Sequence, residues 1–457
     1  MSNTRRNFLL SSAAAFTAAN AAKAAPSDRV NLGFIGVGMR GIDVFDAFKE
    51  MPDTNLVAAA DIYDSRLECV KEEHAGGKLW TGRDYRAILD RKDIDAVVIA
   101  TPDHLHKQMV LDAIAAGKDV FCEKPLTWSI EEGPEIQAAV KKSGKILQVG
   151  SQHKTSASTQ KAKEIVKSGV LGKINMVRSF QHRNTAEGAW IYPIPPNAST
   201  QTIDWKRFLG NAPQIPFKPE HFFRWRCWWE YSGGVATDLF VHNLTTIHEI
   251  LGVTQPKSVV SNGGIFRWND GRTVPDLLNS LYEYPEGFLI DMCVSQCYSG
   301  GGDFARGTQF IGENATMYVG RRFNMPPPGQ MPTNPAEMRR RFGGGTIEIY
   351  PEPPSRNGEV QVIPTNSWPK KMRQEYFAAN GAGPDGRLLN PPKPAGKPET
   401  IEVKVRDDEP TFHGYFIRSV KHRTPSVENV DEGANAAAAA HMANKSYREG
   451  RRISVSS

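Results

Sequence analysis

Through the first third of the chain, short apolar runs alternate with amphipathic stretches. Val30–Val37 is mostly apolar and predicts a strand, and Ile42–Glu50 predicts the helix after it. Leu56–Ala60 predicts a second strand that ends at Asp61. Tyr85–Leu89 reads as helix, Ala96–Ala100 as a buried strand, and Gln108–Ala116 as a helix stopped by Gly117. Asp119–Cys122 and Ile146–Val149 predict two more strands, separated by a helix over Ile130–Ser143 that ends at Gly144. This alternation predicts a doubly wound parallel α/β sheet with helices on both faces. Ligands of such sheets lie at the carboxyl ends of the strands.

The pattern changes beyond residue 150. Lys173–His182 and Leu281–Gln296 read as strands with partial alternation. From Met325 to Glu399 prolines and glycines crowd together, which predicts a long loop insertion over about residues 325–400, packed over the sheet or bridging subunits. Asn429–Tyr447 is rich in alanine and predicts a closely packed helix, with Asp431 and Glu432 suited to the positive end of its dipole. At the other end of the chain, Arg5-Arg6-Asn-Phe8-Leu9 precedes an Ala- and Leu-rich run and then Ala22-Lys23-Ala24. That order resembles a twin-arginine export signal, so residues 1–24 are expected to direct the protein out of the cytoplasm, to the periplasm or an equivalent space. The expected domains are therefore 25–150 and 151–430, with a C-terminal helix and tail over 431–457.

The strand ends carry the candidate chemistry. Gly36-Val-Gly38-Met39-Arg40-Gly41 follows the first strand and opens a helix. In a dinucleotide fingerprint the first glycine permits the tight turn and the second lets the backbone approach a pyrophosphate. The third allows close helix–strand packing, and the helix N-terminus meets the phosphates. Asp61 lies 20 residues past Gly41, where an acid for the ribose hydroxyls is expected. The acid favours NAD over NADP, while Arg40 and Arg66 leave NADP open. Thr101-Pro102 and Glu123-Lys124-Pro125 fall at two further strand ends.

Four segments together resemble the glucose–fructose oxidoreductase/inositol dehydrogenase (Gfo/Idh/MocA) family. They are Gly36-x-Gly38-x-x-Gly41, Ala100-Thr-Pro-Asp-His-Leu-His106, Cys122-Glu-Lys-Pro-Leu126 and Gly233-Gly-Val-Ala-Thr-Asp238-x-x-x-His242. The resemblance implies a Rossmann domain followed by an α+β domain with a large, mainly antiparallel open sheet. It also implies hydride transfer at a sugar or polyol carbon. Lys124 then touches the substrate hydroxyl, His242 is the acid/base, and Asp238 binds substrate or tunes the histidine. Thr101, Pro102 and His106 line the cofactor. The chemistry is coherent on its own terms: alcohol oxidation needs a base for the hydroxyl proton and a fixed cation for the developing alkoxide. Asp238 and His242 share a face if their segment is helical. His248, on the same stretch without a motif match, is read as a core residue.

The aromatic run Phe222–Tyr231 precedes the glycine pair. Its Arg224, Trp225, Arg226 and Tyr231 are substrate-site candidates, as are Gln152 and His153 after the strand Ile146–Val149.

Bulk properties narrow the function. A net charge of +6 over 457 residues, half of it from Arg5, Arg6 and Lys23, is too weak and dispersed for a nucleic-acid binder. No run of 18 apolar residues predicts a stable membrane span. None of the five cysteines forms a pair with zinc-ligand or thioredoxin spacing, so neither a metal site nor a disulfide framework is read. The expectation is an exported NAD(P)-dependent oxidoreductase acting on a small carbohydrate, forming a dimer or tetramer. Export makes a tightly bound, recycled cofactor attractive. It admits a redox-neutral alternative: a glycosidase, epimerase or transhydrogenase with resident NAD. A non-catalytic sugar-binding relative is disfavoured by the retained Lys124, Asp238 and His242.

Overall fold

The computed structural model describes residues 29–299, 306–320, 344–352, 365–386, 389, 396–405 and 409–455. The export-type segment 1–24 and much of the proline-rich insertion lie outside them.

Six parallel strands form the first sheet: β1 (Val30–Ile35), β2 (Thr54–Ala60), β3 (Trp80–Gly82), β4 (Ala96–Ile99), β5 (Asp119–Cys122) and β6 (Leu147–Val149). Their order is β3-β2-β1-β4-β5-β6. The order reverses between β1 and β4, which opens a crevice at their carboxyl ends. The linking helices include α1 (Met39–Lys49), α2 (Asp103–Ala115) and α3 (Glu132–Ser143). α2 begins at Asp103, earlier than the expected Gln108, because Pro102 is extended and the chain turns helical directly after it.

The second sheet has nine strands, in the order β14-β13-β12-β11-β7-β10-β9-β8-β15. They are β7 (Ile174–His182), β8 (Ser258–Gly264), β9 (Leu277–Tyr284), β10 (Phe288–Ser295), β11 (Arg306–Gly312), β12 (Ala315–Val319), β13 (Gly345–Pro351), β14 (Glu399–Val403) and β15 (Ile453–Ser454). Only β7 and β10 pair in parallel; the other seven pairings are antiparallel. The expected single strand Leu281–Gln296 is instead the hairpin β9–β10. Pro285-Glu286-Gly287 makes its turn, with Gly287 at φ +84°. The insertion is not only loops: β13 and β14 extend this sheet, and a helix spans Lys370–Ala379.

Helices α4 (Ala157–Lys167) and α5 (Val241–Leu251) pack with the second sheet, in a core that includes Leu244, Ile247, Tyr282 and Phe310. The chain then returns to the first domain. Helix α6 (Phe412–His422) sets Phe412 and Phe416 against Phe48 and Phe121 on one face of the parallel sheet. Helix α7 (Val430–Glu449) is the expected alanine-rich helix. Asn429 and Glu432 close a capping box at its start, satisfying N–H groups that the helix itself cannot. Its small side chains let it lie between the two units: Ala434 joins the parallel-sheet core, while Ala436, Ala439, Ala440 and Ala443 join the other. This wedge holds the two sheets at a fixed approach. All five cysteines are free, and no helix among the described residues is long and apolar enough to cross a membrane.

Candidate active site

A cleft of about 920 Å³ runs along the carboxyl ends of the first sheet and is walled on its far side by the second domain. The glycine loop forms one end. Gly36 sits at φ +88°, and a β-carbon there would lie 2.7 Å from the Ala100 carbonyl across the switch point. A β-carbon on Gly41 would lie 2.2 Å from the Gly36 carbonyl, so helix and strand pack too closely for any side chain. Helix α1 starts at Gly38 with no side-chain cap and no acid in its first turn. Its free N–H groups and positive end therefore face the cleft uncompensated.

Asp61 accepts from the Val37 N–H (2.9 Å) and the Tyr63 N–H (3.0 Å), and Arg66 stands 3.6 Å away. Each carboxylate oxygen keeps a further lone pair for a ribose hydroxyl. The Arg66 guanidinium lies over the Phe222 ring at 4.9 Å. A glycine cradle that excludes β-carbons, an uncapped helix end and a fixed acid are the donor and acceptor set that a dinucleotide requires, so these residues fit NAD. Met39, Thr101 and Pro102 line the same cleft. Arg40 also lines it and pairs with buried Glu123, through Nε at 3.0 Å and Nη2 at 2.8 Å.

At the other end, β5 delivers Lys124, whose bond to Pro125 is cis. The Lys124 ammonium donates to both the backbone carbonyl and the carboxylate of Asp238, each at 2.8 Å. Arg226 donates to the same carboxylate at 3.0 Å. Burial alone would raise the Asp238 pKa. The Lys124, Arg226 and Arg183 charges overcome that and hold it well below the ordinary carboxylate range. Asp238 lies on a π-helical turn, Ala236–Phe240, that runs straight into α5, and His242 follows one turn later. Burial and the nearby Lys124 charge depress the His242 pKa strongly, so the ring is neutral. Its Nδ1 is buried without a hydrogen-bond partner among the described residues. The Gln152 side-chain oxygen, also on the cleft wall, is likewise buried and unpartnered. An orphan ring nitrogen and an orphan amide oxygen on one cleft wall mark a place for polar groups that a ligand brings.

The remaining candidates divide. Trp225 lines the cleft, with the Arg226 guanidinium over its ring at 4.2 Å. His153 stands beside His242, ring centroids 5.4 Å apart, without forming the cleft wall. Three expected ligand-contact residues lie behind the wall. Arg224 donates to the Tyr192 carbonyl at 2.9 Å, so it positions Tyr192, which does line the cleft. Tyr231 is 1% exposed and packs on His104 and Phe208, with burial pushing its phenol up to about 12. It is a core residue, because the chain turns inward at the end of the aromatic run. His106 is buried between the Thr101 carbonyl (2.9 Å) and the Pro125 carbonyl (2.7 Å). It ties the loops after β4 and β5 together and does not face the cofactor space. Gly41 and Pro125 act in the same indirect way, through packing and loop shape. His248, buried, bonds Tyr284 Oη at 2.6 Å in the core, as read.

Sequence reasoning missed several residues. Asp103 lines the cleft, is 3% exposed, and accepts from the Gly233 N–H and the Thr237 hydroxyl at 3.4 and 3.3 Å. It thereby couples the first domain to the loop that carries Asp238. Burial pushes its pKa up to about 7. It stands in the quoted Thr-Pro-Asp-His segment, which was the available signal. Arg183 and Asp204–Asn211 had no such signal. Outside the cleft, donor atoms of Cys69, Glu73 and His74 come within 4.8 Å of one another on a π-helical turn, a grouping that residue spacing did not reveal.

Comparison with known proteins agrees with this geometry. Residues 30–151 match the model of the NAD-binding Rossmann fold of the oxidoreductase family (GFO_IDH_MocA), and residues 163–318 match that of its C-terminal alpha/beta domain. Over 295 residues the chain is 34% identical to scyllo-inositol 2-dehydrogenase (NAD(+)) of Bacillus subtilis, covering 64% of this chain and 74% of that protein. The chain belongs to the Gfo/Idh/MocA oxidoreductase family. An uncharacterized oxidoreductase of the same bacterium, YrbE, is 35% identical over 179 residues, 39% of this chain and 48% of that one. The chain thus spans about half of that relative's length. The fold also matches a levoglucosan dehydrogenase solved with NADH and levoglucosan, at TM-score 0.60 and 18% identity over 93% of this chain and 99% of that one. This family member carries an NAD-binding Rossmann domain of six parallel strands, and its second sheet is mixed and mostly antiparallel.

Proposed function

We propose that this protein oxidises a CH–OH carbon of a small carbohydrate, glycoside or cyclitol, using NAD held along the glycine loop and Asp61. The observation that carries the reading is the Lys124–Asp238 pair beside neutral, unpartnered His242, in the same cleft as the glycine cradle. Bound NAD, held along the glycine loop and Asp61, would supply a hydride acceptor beside the Lys124 end of the cleft. The chain supplies the rest. The His242 ring, neutral and on the cleft wall, takes the hydroxyl proton. The Lys124 ammonium lowers the free energy of the developing alkoxide and is aimed by its two bonds to Asp238. Arg226 anchors Asp238 from the other side, so the charges are oriented before substrate enters. Gln152 Oε1 accepts from a second hydroxyl, and the Trp225 face packs on the sugar ring. The dehydrogenases among its relatives support a polyhydroxylated substrate.

The test is formation of reduced nicotinamide on a panel of sugars, glycosides and inositols, with Lys124→Ala and His242→Ala beside the native protein. Turnover on one of them, lost in both variants, supports the assignment; full activity in either variant removes it. We further propose export by the twin-arginine route, from Arg5-Arg6 and the segment after them. Fractionation of producing cells, with Arg5→Lys/Arg6→Lys as control, tests it. The proposed homo-oligomer uses the outer face of the second sheet. There exposed Val260 and Leu281 stand opposite each other on β8 and β9, and exposed Leu289 lies on β10. Mass by light scattering, with Leu281→Lys disrupting assembly, tests that.

A further inference from the structure

The adenosine end of the cleft is closed by the other domain. Asp61 marks that end, and the chain beyond it, Ile62–Ser65, is stitched to a segment that follows β7 by 15 residues, Asn197–Asn211. Tyr63 and Ile203 form an antiparallel bridge. It is flanked by backbone bonds from the Asp64 N–H to the Thr202 carbonyl (3.0 Å) and from the Asp204 N–H to the Ile62 carbonyl (2.9 Å). Side chains reinforce it. The Tyr63 hydroxyl donates to Asn197 Oδ1 at 2.5 Å, and Asn197 Nδ2 donates to the Ser65 hydroxyl at 2.8 Å. Arg83 donates to the Gln201 carbonyl at 2.9 Å, and Arg207 reaches Asp84 at 3.0 Å. His104 Nε2 lies 2.7 Å from the Phe208 carbonyl.

Downstream of the bridge, Asp204, Lys206, Arg207 and Phe208 form cleft wall opposite Ile62, Arg66 and Arg83. The segment is rooted, with Ile203 and Leu209 buried and Trp205 stacked on Phe208 at 4.9 Å. Two domains that gripped only at the catalytic end would leave the adenosine end open to exchange. Here the second domain bridges directly across it.

We propose that Asn197–Asn211 is a clasp: it forms the outer half of the adenosine subsite, and its opening controls release of the dinucleotide. The inference rests on the NAD-binding reading of the cleft. A dinucleotide kept in this way turns over in place, which suits the export proposed above.

The test is the dissociation rate of NADH, read by fluorescence after mixing the NADH-loaded full-length protein with excess NAD. Asn197→Ala/Arg207→Ala removes three side-chain hydrogen bonds across the rim, Tyr63–Asn197, Asn197–Ser65 and Arg207–Asp84, and no catalytic group. The clasp predicts release faster by roughly 10-fold to 100-fold, from the loss of three mostly exposed hydrogen bonds. It also predicts weakened binding of ADP-ribose, with binding of nicotinamide mononucleotide unchanged. A release rate equal to the native one, in a variant with native melting, overturns the clasp. If the double variant is misfolded, Asn197→Ala alone decides by the same rate. If the native protein binds no NADH, the cofactor reading itself fails, an outcome distinct from slow native release that the variants leave unchanged.

Discussion

Asp238→Asn removes one charge and almost no volume, so its effects isolate electrostatics. In the native site the carboxylate sits 2.8 Å from Lys124 and 3.0 Å from Arg226. At an effective dielectric constant of about 20, these contacts are worth roughly 6 and 5.5 kcal/mol of gross attraction. Most of that offsets the cost of taking three charges out of water, so the gross figure is not a stability. The relevant comparison is a buried pair broken on one side, which costs about 3–5 kcal/mol because the surviving charges are left uncompensated. Here two cations survive side by side. Their side chains are 12% and 22% exposed, so some solvent screening pulls the expectation to the lower end, about 3 kcal/mol. At about 1–2 °C per kcal/mol for a unit of roughly 250–450 residues, the melting temperature should fall by roughly 3–6 °C. The lost anchor should also swing Lys124 out of line and slow turnover at least ~100-fold, the scale of losing one preorganised electrostatic contact. The assay is calorimetric melting together with single-turnover kinetics. Lys124→Met/Asp238→Asn should recover part of the melting loss, since it removes one of the stranded cations. A variant that melts within ~1 °C of native and keeps its turnover rate would refute the argument, since a partial effect is too small for a broken buried pair.

Gly41→Ala places a methyl where only 2.2 Å separates it from the Gly36 carbonyl; it should cost about 1–3 kcal/mol of stability and weaken NADH binding, read by melting and fluorescence titration. His242 is held neutral by burial and the Lys124 charge, so the acid limb of alcohol oxidation should fall below the ordinary histidine midpoint, and a limb at or above about 6.5 would count against His242 as the base. Burial pushes Asp103 up to about 7, well above the ordinary carboxylate value of about 3.9. The folded state therefore binds more protons between those values, and the residue's contribution to stability is fully present below about 4 and lost as pH rises through 7. Asp103→Asn removes that titration, so its stability relative to native should improve by up to ~4 kcal/mol between pH 4 and 8, measured by denaturant melts; an unchanged difference would show that Asp103 titrates normally.

Five strands of the first sheet were legible because each is a short apolar run punctuated by glycine, proline or an acid, and their ends carry the cofactor motifs; the edge strand β3, only Trp80-Thr-Gly82, is too short and too polar to stand out. The second sheet was less so. Its strands alternate only in part, and Leu281–Gln296 hides a turn in a run whose hydrophobicity barely dips at Pro285-Glu286-Gly287. Lys124, Asp238 and His242 could be named as candidates because residue type and order survive in sequence, and the fold brings them to one end of the cleft. Arg226 was found as an arginine in an aromatic run, but its role as anchor of Asp238 needed coordinates. Tyr231, Arg224 and His106 were overcalled for one reason: adjacency to a site in sequence does not say which side of a loop a side chain faces. Asp103 and the segment Asn197–Asn211 were missed because their meaning lies in contacts spanning 100 residues or more, as between Asp103 and Gly233 or between Tyr63 and Asn197. No local periodicity encodes those contacts.

The central claim is that Lys124 and His242 act on a sugar or cyclitol hydroxyl in the cleft that holds NAD. It is tested most directly by mixing NAD-loaded protein with each member of a polyol panel and following the nicotinamide absorbance over a single turnover. The account predicts that one substrate reduces the bound cofactor to about one equivalent per site, and that Lys124→Ala and His242→Ala bind NADH normally yet show no such phase. Reduction at the native rate in either variant would contradict it, as would a protein that binds NADH but whose cofactor no polyol reduces.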